Sequence, residues 1–79
     1  MTNLEKYRNA FVSGLGVSEN QLDALKFQSV VEWDSVGHMG LIAALEEVFD
    51  IVFDTDDIVD LSSFEKGKEI LKKYNIVID

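Results

Sequence analysis

The sequence predicts an all-α fold, a small four-helix bundle in a single domain spanning residues 1–79. The chain has 79 residues and no proline, so helix-forming residues run without interruption through most of it. Apolar residues recur at helical spacing, and capping signals stand before most of the segments that show this spacing. The one strand-like stretch, Ile76-Val77-Ile78, is too short to build a sheet.

The first helix is predicted to begin at Thr2, because Glu5 stands three residues on and completes a capping-box spacing. Apolar residues then follow at helical spacing as far as Val12. Ser13-Gly14 is the expected end of this helix, since glycine readily adopts the left-handed conformation that ends many helices.

A long connection, roughly residues 14–34, follows the first helix. Within it, Ser18 and Gln21 show capping-box spacing, which predicts a short helical turn running to about Leu25. A connection of this length in a small domain is usually functional or packs as a unit of its own. The sequence leaves both possibilities open.

Three further helices are predicted after this connection. The second helix covers about residues 35–50. The third is short, residues 54–60, with Thr55 as its candidate cap and two acids in its first turn, where they suit the helix dipole. The fourth opens at Ser62 with another capping-box spacing and runs to about Tyr74.

Composition argues against several classes of function. The formal net charge is −8, which disfavours binding to nucleic-acid phosphates or to an anionic membrane surface. Cysteine is absent, which excludes disulfides and a thiolate nucleophile, and the lone His38 has no plausible nucleophile beside it, so we expect no enzyme. No apolar run is long enough to span a membrane, and the first residues lack a signal-peptide pattern. We expect a cytoplasmic protein.

The negative charge is concentrated in the middle third of the chain. Residues 32–60 hold nine acids and no lysine or arginine, whereas the other residues hold six acids and seven bases. Such a run is either an ordinary solvated helix face or a docking surface for basic partners, and the charge alone favours neither. A calcium loop beginning at Asp54 is rejected, because Val59 stands where such a loop requires glycine. We therefore expect no metal site.

The second helix divides into two faces when its residues are placed at intervals of about 100°. The expected core face contains Leu41, Ile42, Leu45, Val48 and Phe49, with His38 inside it. The opposite face contains Val36, Met39, Gly40, Ala43, Glu46, Glu47 and Asp50. Methionine and small apolar residues bordered by carboxylates are typical of a contact surface.

Two glycines are unexpected inside this helix. Gly37 and Gly40 each cost about 1 kcal/mol of stability relative to alanine in a helix interior. They indicate either a close approach by another backbone or group, or local looseness. The sequence does not decide between these explanations.

The start of the second helix leaves a serine hydroxyl free. Asp34 and Ser35 are both good N-caps, but neither has Glu or Gln three residues on to complete a capping box. If Asp34 caps alone, the Ser35 hydroxyl has no capping role. Because a helix N-terminus favours anions, a phosphate ester on Ser35 would lie in a favourable position.

The run Asp34-Ser35-Val36, followed by Leu41-Ile42-Ala43-Ala44-Leu45-Glu46-Glu47-Val48-Phe49-Asp50, resembles the second helix of an acyl carrier protein. That family has Asp-Ser-Leu at the start of an acidic helix and then a Leu-Glu-Glu-x-Phe stretch. The length, the acidity, the long first connection and the short third helix are similar as well. The resemblance covers nearly the whole chain and implies a single acyl carrier domain, a four-helix bundle with a long first loop and a short third helix.

The resemblance implies that a phosphopantetheinyl transferase attaches 4′-phosphopantetheine from coenzyme A to Ser35, next to Asp34. The terminal thiol of this arm would carry an acyl group as a thioester, which supplies the sulfur chemistry that a chain without cysteine lacks. The protein would then be a monomeric carrier rather than an enzyme. Its partners would be acyl-loading and acyl-consuming enzymes with basic docking patches, in fatty-acid, lipid-modification or secondary-metabolite biosynthesis.

The same resemblance assigns roles to further residues. The partner-binding residues that it implies are Asp34, Val36, Met39, Glu46, Glu47, Asp50, Asp56 and Asp57. In many members the acyl group folds back between the second and third helices. The lining residues that match this acyl pocket are Leu45, Phe49, Ile58 and Leu61, and ordinary core packing is the simpler interpretation of each.

Some positions depart from the family pattern. Gly37 and Gly40 stand where carriers of fatty-acid synthesis commonly have acids, so the recognition helix is less acidic in its first half. The pattern of residues 33–38 is similar to that of specialised stand-alone carriers. The alternative function is an unmodified acidic helical adaptor that docks basic partner proteins through residues 32–60.

Overall fold

Four α-helices and one short 3-10 turn form the regular structure of the chain, in a computed structural model that describes residues 1–78. The helices are α1 (Asn3–Leu15), α2 (Ser35–Phe49), α3 (Thr55–Asp60) and α4 (Phe64–Lys72), and the 3-10 turn spans Glu19–Gln21. The described residues contain no β-strand, only an isolated antiparallel bridge between Lys26 and Ser63. The prediction of an all-α fold with four helices is confirmed; Asp79, the last residue of the predicted domain, lies outside the described residues.

Helix α1 begins as predicted and ends later than predicted. The Thr2 hydroxyl accepts from Glu5 N at 3.1 Å, and Thr2 N donates to Glu5 Oε1 at 2.9 Å, so the capping box is complete. The predicted end at Gly14 is wrong, because the helix continues to Leu15 and Gly16 takes the left-handed conformation with φ 77°. Gly14 faces α2 instead.

Helices α1 and α2 cross with their backbones close together. A Cβ atom on Gly14 would lie 2.9 Å from Leu41 Cα and 3.2 Å from Ala44 Cβ. A Cβ atom on Gly40 would lie 3.1 Å from Gly14 O. Glycine at both positions permits this approach, because it has no Cβ to separate the helices. Of the two explanations for Gly40, the close approach of another backbone is therefore correct.

Aromatic side chains from α1, the first connection and α4 form the centre of the core. Tyr7, Phe11, Trp33 and Phe64 are all fully buried. The Phe11 ring meets the Trp33 and Phe64 rings edge to face, with centroid distances of 5.7 Å and 5.0 Å. The predicted core face of α2 packs here through Leu41, Ile42 and Leu45, while Val48 and Phe49 are half-buried. One side of α2 is thus buried and the other remains exposed.

The connection between α1 and α2 packs into the common core rather than as a separate unit. It buries Val17, Leu22, Leu25 and Trp33 in the core. Ser18 N donates to Gln21 Oε1 at 2.8 Å, as the capping-box spacing predicts, although the turn is shorter than expected and ends at Gln21. Arg8 of α1 holds this turn by ion pairs with Glu19 and Asp23. The connection therefore presents a fixed surface next to the start of α2.

The caps of α3 and α4 each lie one residue from the predicted positions. Asp54 has extended backbone and precedes α3, so Thr55 is the first helical residue rather than the cap. Ser63, not Ser62, caps α4 by accepting from the backbone N–H three residues on at 2.9 Å. Ser62 O accepts from Phe27 N at 2.8 Å, which keeps Ser62 in the extended segment before the helix.

Candidate functional site

Ser35 is the first residue of α2, and it is exposed. Asp34 caps the helix as predicted, because Asp34 Oδ1 accepts from Gly37 N and Asp34 O accepts from His38 N, both at 2.8 Å. Within residues 1–78, Ser35 Oγ and the backbone N–H groups of Ser35 and Val36 have no hydrogen-bond partner. A free hydroxyl therefore lies beside two free donors at the positive end of a helix.

Gly37 allows the connection to approach the first turn of α2 closely. A Cβ atom on Gly37 would overlap the carbonyl oxygen of Glu32. Glycine is therefore required for the segment before Trp33 to lie this close to the first turn of α2. The close approach of a backbone explains Gly37 as well as Gly40, although at Gly37 the backbone belongs to the connection.

Exposed apolar side chains lie near Ser35 along the chain. Val36 is 82% exposed and Met39 is 55% exposed, on the face of α2 where the sequence predicts a contact surface. Val31, at the end of the connection, is 86% exposed. Exposed apolar side chains that form a contiguous patch are typical of a surface that another protein covers, and these three residues are candidates for such a patch.

Four of the six predicted acidic contacts are exposed. They are Asp34, Glu47, Asp50 and Asp56. Glu46 is half-buried, and its Oε2 accepts from Phe53 N at 2.9 Å, so this carboxylate fastens α2 to the loop that follows it. Of the two adjacent glutamates, only Glu47 presents a fully available carboxylate.

Asp57 does not belong to the exposed acidic surface, which corrects its assignment as a partner contact. Its exposed fraction is 4%. Asp57 Oδ1 accepts from Lys73 Nζ and Asp57 Oδ2 accepts from Tyr74 OH, both at 2.7 Å. These hydrogen bonds, that of Lys73 above all, lower the pKa of Asp57, and the carboxylate raises the pKa of Lys73. Asp57 therefore anchors α3 to the end of α4.

His38 joins the buried Trp33 to α3. Trp33 Nε1 donates to His38 Nδ1 at 2.9 Å, and His38 Nε2 lies 2.7 Å from Ile58 O. Because an indole N–H can only donate, Nδ1 is the acceptor, and the neutral ring carries its proton on Nε2 and donates it to Ile58 O. The His38 and Trp33 rings lie nearly in one plane, with an interplanar angle of 14° and centroids 6.1 Å apart, and the Phe27 ring meets the His38 ring edge-on at 5.6 Å.

A small apolar groove lies between α2 and α3, one helical turn from Ser35. Its volume is about 230 Å³, and its lining residues are Phe27, His38, Ile58, Val59, Leu61 and Ser62. Two of the four predicted acyl-pocket residues, Ile58 and Leu61, are among them. Leu45 is fully buried in the core and Phe49 packs half-buried against it, so neither lines this groove.

Sequence reasoning misses Phe27, Val59 and Ser62 as groove residues. Phe27 reaches the groove because its N–H donates to Ser62 O, within an extended contact between two segments distant in the chain. Local periodicity carries no information on such pairing. The one available signal is the length of the first connection, which indicates that this segment is functional or packs independently.

No protein-family model, curated protein or solved structure matches this chain. Among residues 1–78, no helix combines the length and the apolar character needed to cross a membrane. The same residues contain no group of three or more acidic or histidine side chains that could hold a metal ion. The function must therefore be inferred from the geometry around Ser35 and from the sequence motif that contains it.

Proposed function

We propose that this chain is an acyl carrier protein, which holds acyl groups as thioesters on a 4′-phosphopantetheine arm attached to Ser35. The observation that carries the proposal is the exposed Ser35 hydroxyl at the first position of α2, next to an aspartate that caps the helix alone. The resemblance of the Asp34-Ser35-Val36 segment to the acyl carrier family identifies the arm. The surroundings of Ser35 then indicate whether such an arm fits.

The residues around Ser35 fit a phosphodiester on its Oγ. The N–H groups of Ser35 and Val36 lack partners within the described chain, so they can donate to phosphate oxygens at the helix N-terminus. The Asp34 carboxylate does not compete for these donors, because it accepts from Gly37 N. The exposure of Ser35 leaves room for the rest of a long, flexible arm.

When bound, the arm supplies a thiol that carries the acyl group. Its attachment would form a bond between Ser35 Oγ and phosphorus and break the pyrophosphate bond of coenzyme A, releasing adenosine 3′,5′-bisphosphate. His38 is not free to act as the general base for this step, since both of its ring nitrogens are engaged, with Trp33 and with Ile58 O. We assign catalysis of the step to a transferase, with this chain as the carrier.

Partner enzymes would recognise the surface around Ser35. Val36 and Met39 offer apolar contacts, while Glu47, Asp50 and Asp56 offer exposed carboxylates. The net charge of −8 would steer partners with basic patches toward the carrier, because the excess of acids is confined to residues 32–60. This surface would be the binding site that loading and consuming enzymes recognise.

An intact-mass measurement tests the proposal after incubation with coenzyme A and a broad-specificity phosphopantetheinyl transferase. The wild-type chain should gain the mass of one phosphopantetheine, and Ser35→Ala should gain none. Ser13→Ala removes another exposed helical serine, so this matched control should be modified like the wild type. No gain by the wild type would refute the carrier function, and a gain by Ser35→Ala would refute the site.

The exposed acids support a second candidate, an unmodified adaptor that docks basic proteins. The exposed acids of residues 32–60 are Glu32, Asp34, Glu47, Asp50, Asp54, Asp56 and Asp60. An adaptor does not need a serine hydroxyl, so Ser35→Ala would leave its function in cells intact. Loss of function in Ser35→Ala cells, together with modification of the wild type, would favour the carrier over the adaptor.

A further inference from the structure

The hydrogen-bonded bridge from Trp33 through His38 to Ile58 crosses the gap that a bound acyl chain would have to enter. His38 lies three residues after Ser35, on the same face of α2. His38 and Ile58 both line the groove, and the bond from His38 Nε2 to Ile58 O ties α2 to α3 there. Toward the core, the His38 ring meets the fully buried Trp33 edge to edge, through the bond from Trp33 Nε1. The bridge therefore separates the groove from the core on the α2 side, and the buried Leu61 forms another part of the groove wall.

We propose that His38 sets the length of the acyl group that the groove accommodates, an inference that rests on the carrier function proposed above. Straight acyl chains of up to about eight carbons lie in the groove, and longer chains extend into solvent instead of entering the core. His38 is then a specificity-determining residue of the carrier. The acyl groups that the carrier holds in its groove are short, straight alkyl chains.

The size of the groove gives this limit. An apolar cavity of about 150 Å³ is large enough to bind benzene. By the same proportion, the groove of about 230 Å³ holds on the order of eight or nine carbon atoms. Four of its six lining residues are apolar, namely Phe27, Ile58, Val59 and Leu61. The groove therefore fits an unbranched alkyl chain.

A longer chain would have to displace the bridge in order to reach the core. Moving the His38 ring breaks its bonds to Trp33 Nε1 and to Ile58 O together. Trp33 is fully buried, so its N–H would be left in the core without a partner. Leaving a buried donor unpaired costs more free energy than removing both partners of a hydrogen bond. The bridge therefore resists displacement more strongly than an apolar side chain of the same size would.

The absence of cysteine allows a direct test that needs no transferase. Ser35→Cys introduces a unique thiol, which bromoacetyl derivatives of a pantetheine mimic alkylate. The far end of the mimic carries a straight acyl amide, in a series from butyryl to myristoyl. Two quantities are measured for each length, namely the thermal unfolding midpoint and the methyl NMR signals of Leu61 in the groove and Leu45 in the core.

The unfolding midpoint should rise with chain length and then stop rising. We expect on the order of 2–4 °C for each added methylene through octanoyl, and no further rise from decanoyl onward. The Leu61 methyl signals should shift with the cargo, and those of Leu45 should not. With His38→Ala added, the rise should continue to dodecanoyl and the Leu45 signals should shift. Met39→Ala, an exposed neighbour on α2, is the matched control and should keep the original limit.

Four results would overturn the proposal. A midpoint that rises through to myristoyl with His38 in place would refute the length limit, and so would a Leu45 shift. An unchanged limit in His38→Ala would refute the role of His38. A Leu61 signal that never moves would refute the groove as the cargo site. The series with His38 in place decides by itself if His38→Ala does not fold, and it is independent of whether the native Ser35 is modified.

Discussion

The two sides of α2 are held by different interactions. Toward α1, the helix packs with its backbone close to that of its neighbour, at Gly14 and Gly40. Toward α3, the helix is joined by a hydrogen bond from His38 Nε2 to Ile58 O. Helix α3 is in turn fastened to the end of α4 by the hydrogen bonds of Asp57. Asp57 is the one buried residue within α3, whereas α1 and α2 bury aromatic and aliphatic side chains.

This difference indicates which side of α2 can change conformation. Close packing of helices tolerates little displacement, because small shifts create clashes or voids. The short helix α3 buries few side chains, so it can open locally at a lower cost, within the limits set by the His38 bridge and the Asp57 anchor. The adaptable side of α2 is the side with the groove and the Ser35 turn, which is where the proposed carrier would exchange cargo. The closed side keeps the serine in a fixed position.

The largest effect is expected where α1 and α2 touch. Gly14→Val places a Cβ 2.9 Å from Leu41 Cα, which the two helices can accept only by moving apart. We expect a loss of about 2–3 kcal/mol in the free energy of unfolding, measured by urea denaturation. Val59→Ala, at a 75% exposed site on α3, should change this free energy by less than about 0.5 kcal/mol. Equal losses at the two sites would contradict the contrast between the sides of α2.

A smaller effect is expected where α3 is anchored to α4. Asp57→Asn removes the charge that Lys73 and Tyr74 bind, and it should lower the free energy of unfolding by about 1–2 kcal/mol at neutral pH. Asp56→Asn is the matched control, because Asp56 is the exposed neighbour and should have little effect. A similar loss in the two variants would show that general acidity, rather than this anchor, holds α3.

The same anchor gives a pH dependence of defined sign. The folded pKa of Asp57 is lowered, so its ionised form stabilises the fold above the ordinary aspartate pKa of about 3.9. That contribution is lost as the pH falls through the lowered folded value. The stability difference between the wild type and Asp57→Asn should therefore be full at neutral pH and shrink below about pH 4. A difference that stays constant into acid would contradict the ion pair.

The smallest effect concerns docking on the open side. Glu47→Lys should slow association with a loading enzyme several-fold at low salt and much less at high salt, because the carboxylate is exposed and steers basic partners. Glu69→Lys on α4 makes the same charge change outside residues 32–60 and is the control. Stopped-flow association rates distinguish the two. Equal slowing would mean that the net charge of the protein controls the association rate and that α2 is not the specific docking surface.

Local rules were enough to predict that four helices form and that Ser35 lies at the start of the second one. The caps at Thr2 and Asp34 depend on residues only three positions apart, so their spacing in the sequence contains the answer. The buried face of α2 follows from its period. Where two adjacent serines were equally good caps, the choice of Ser63 over Ser62 came from a contact with Phe27 that no local rule contains.

The interactions around the site could not be predicted either, because they join residues that lie far apart in the chain. Asp57 is indistinguishable in sequence from its exposed neighbour Asp56, and only the arrival of Lys73 and Tyr74 from α4 makes it a buried anchor. The role of His38 likewise depends on Ile58, twenty positions away in the chain. The sequence thus predicted where the hydroxyl lies and missed what closes the groove beside it.

The proposed carrier function requires that Ser35 carries a phosphopantetheine arm in the cell. Mass spectrometry of the protein recovered from its own cells and digested into peptides tests this directly, because fragmentation assigns a modification to one residue. We predict that the peptide containing Ser35 carries phosphopantetheine, part of it with an acyl group in thioester linkage. If growing cells contain only the unmodified peptide, the carrier account is contradicted and the unmodified adaptor is favoured.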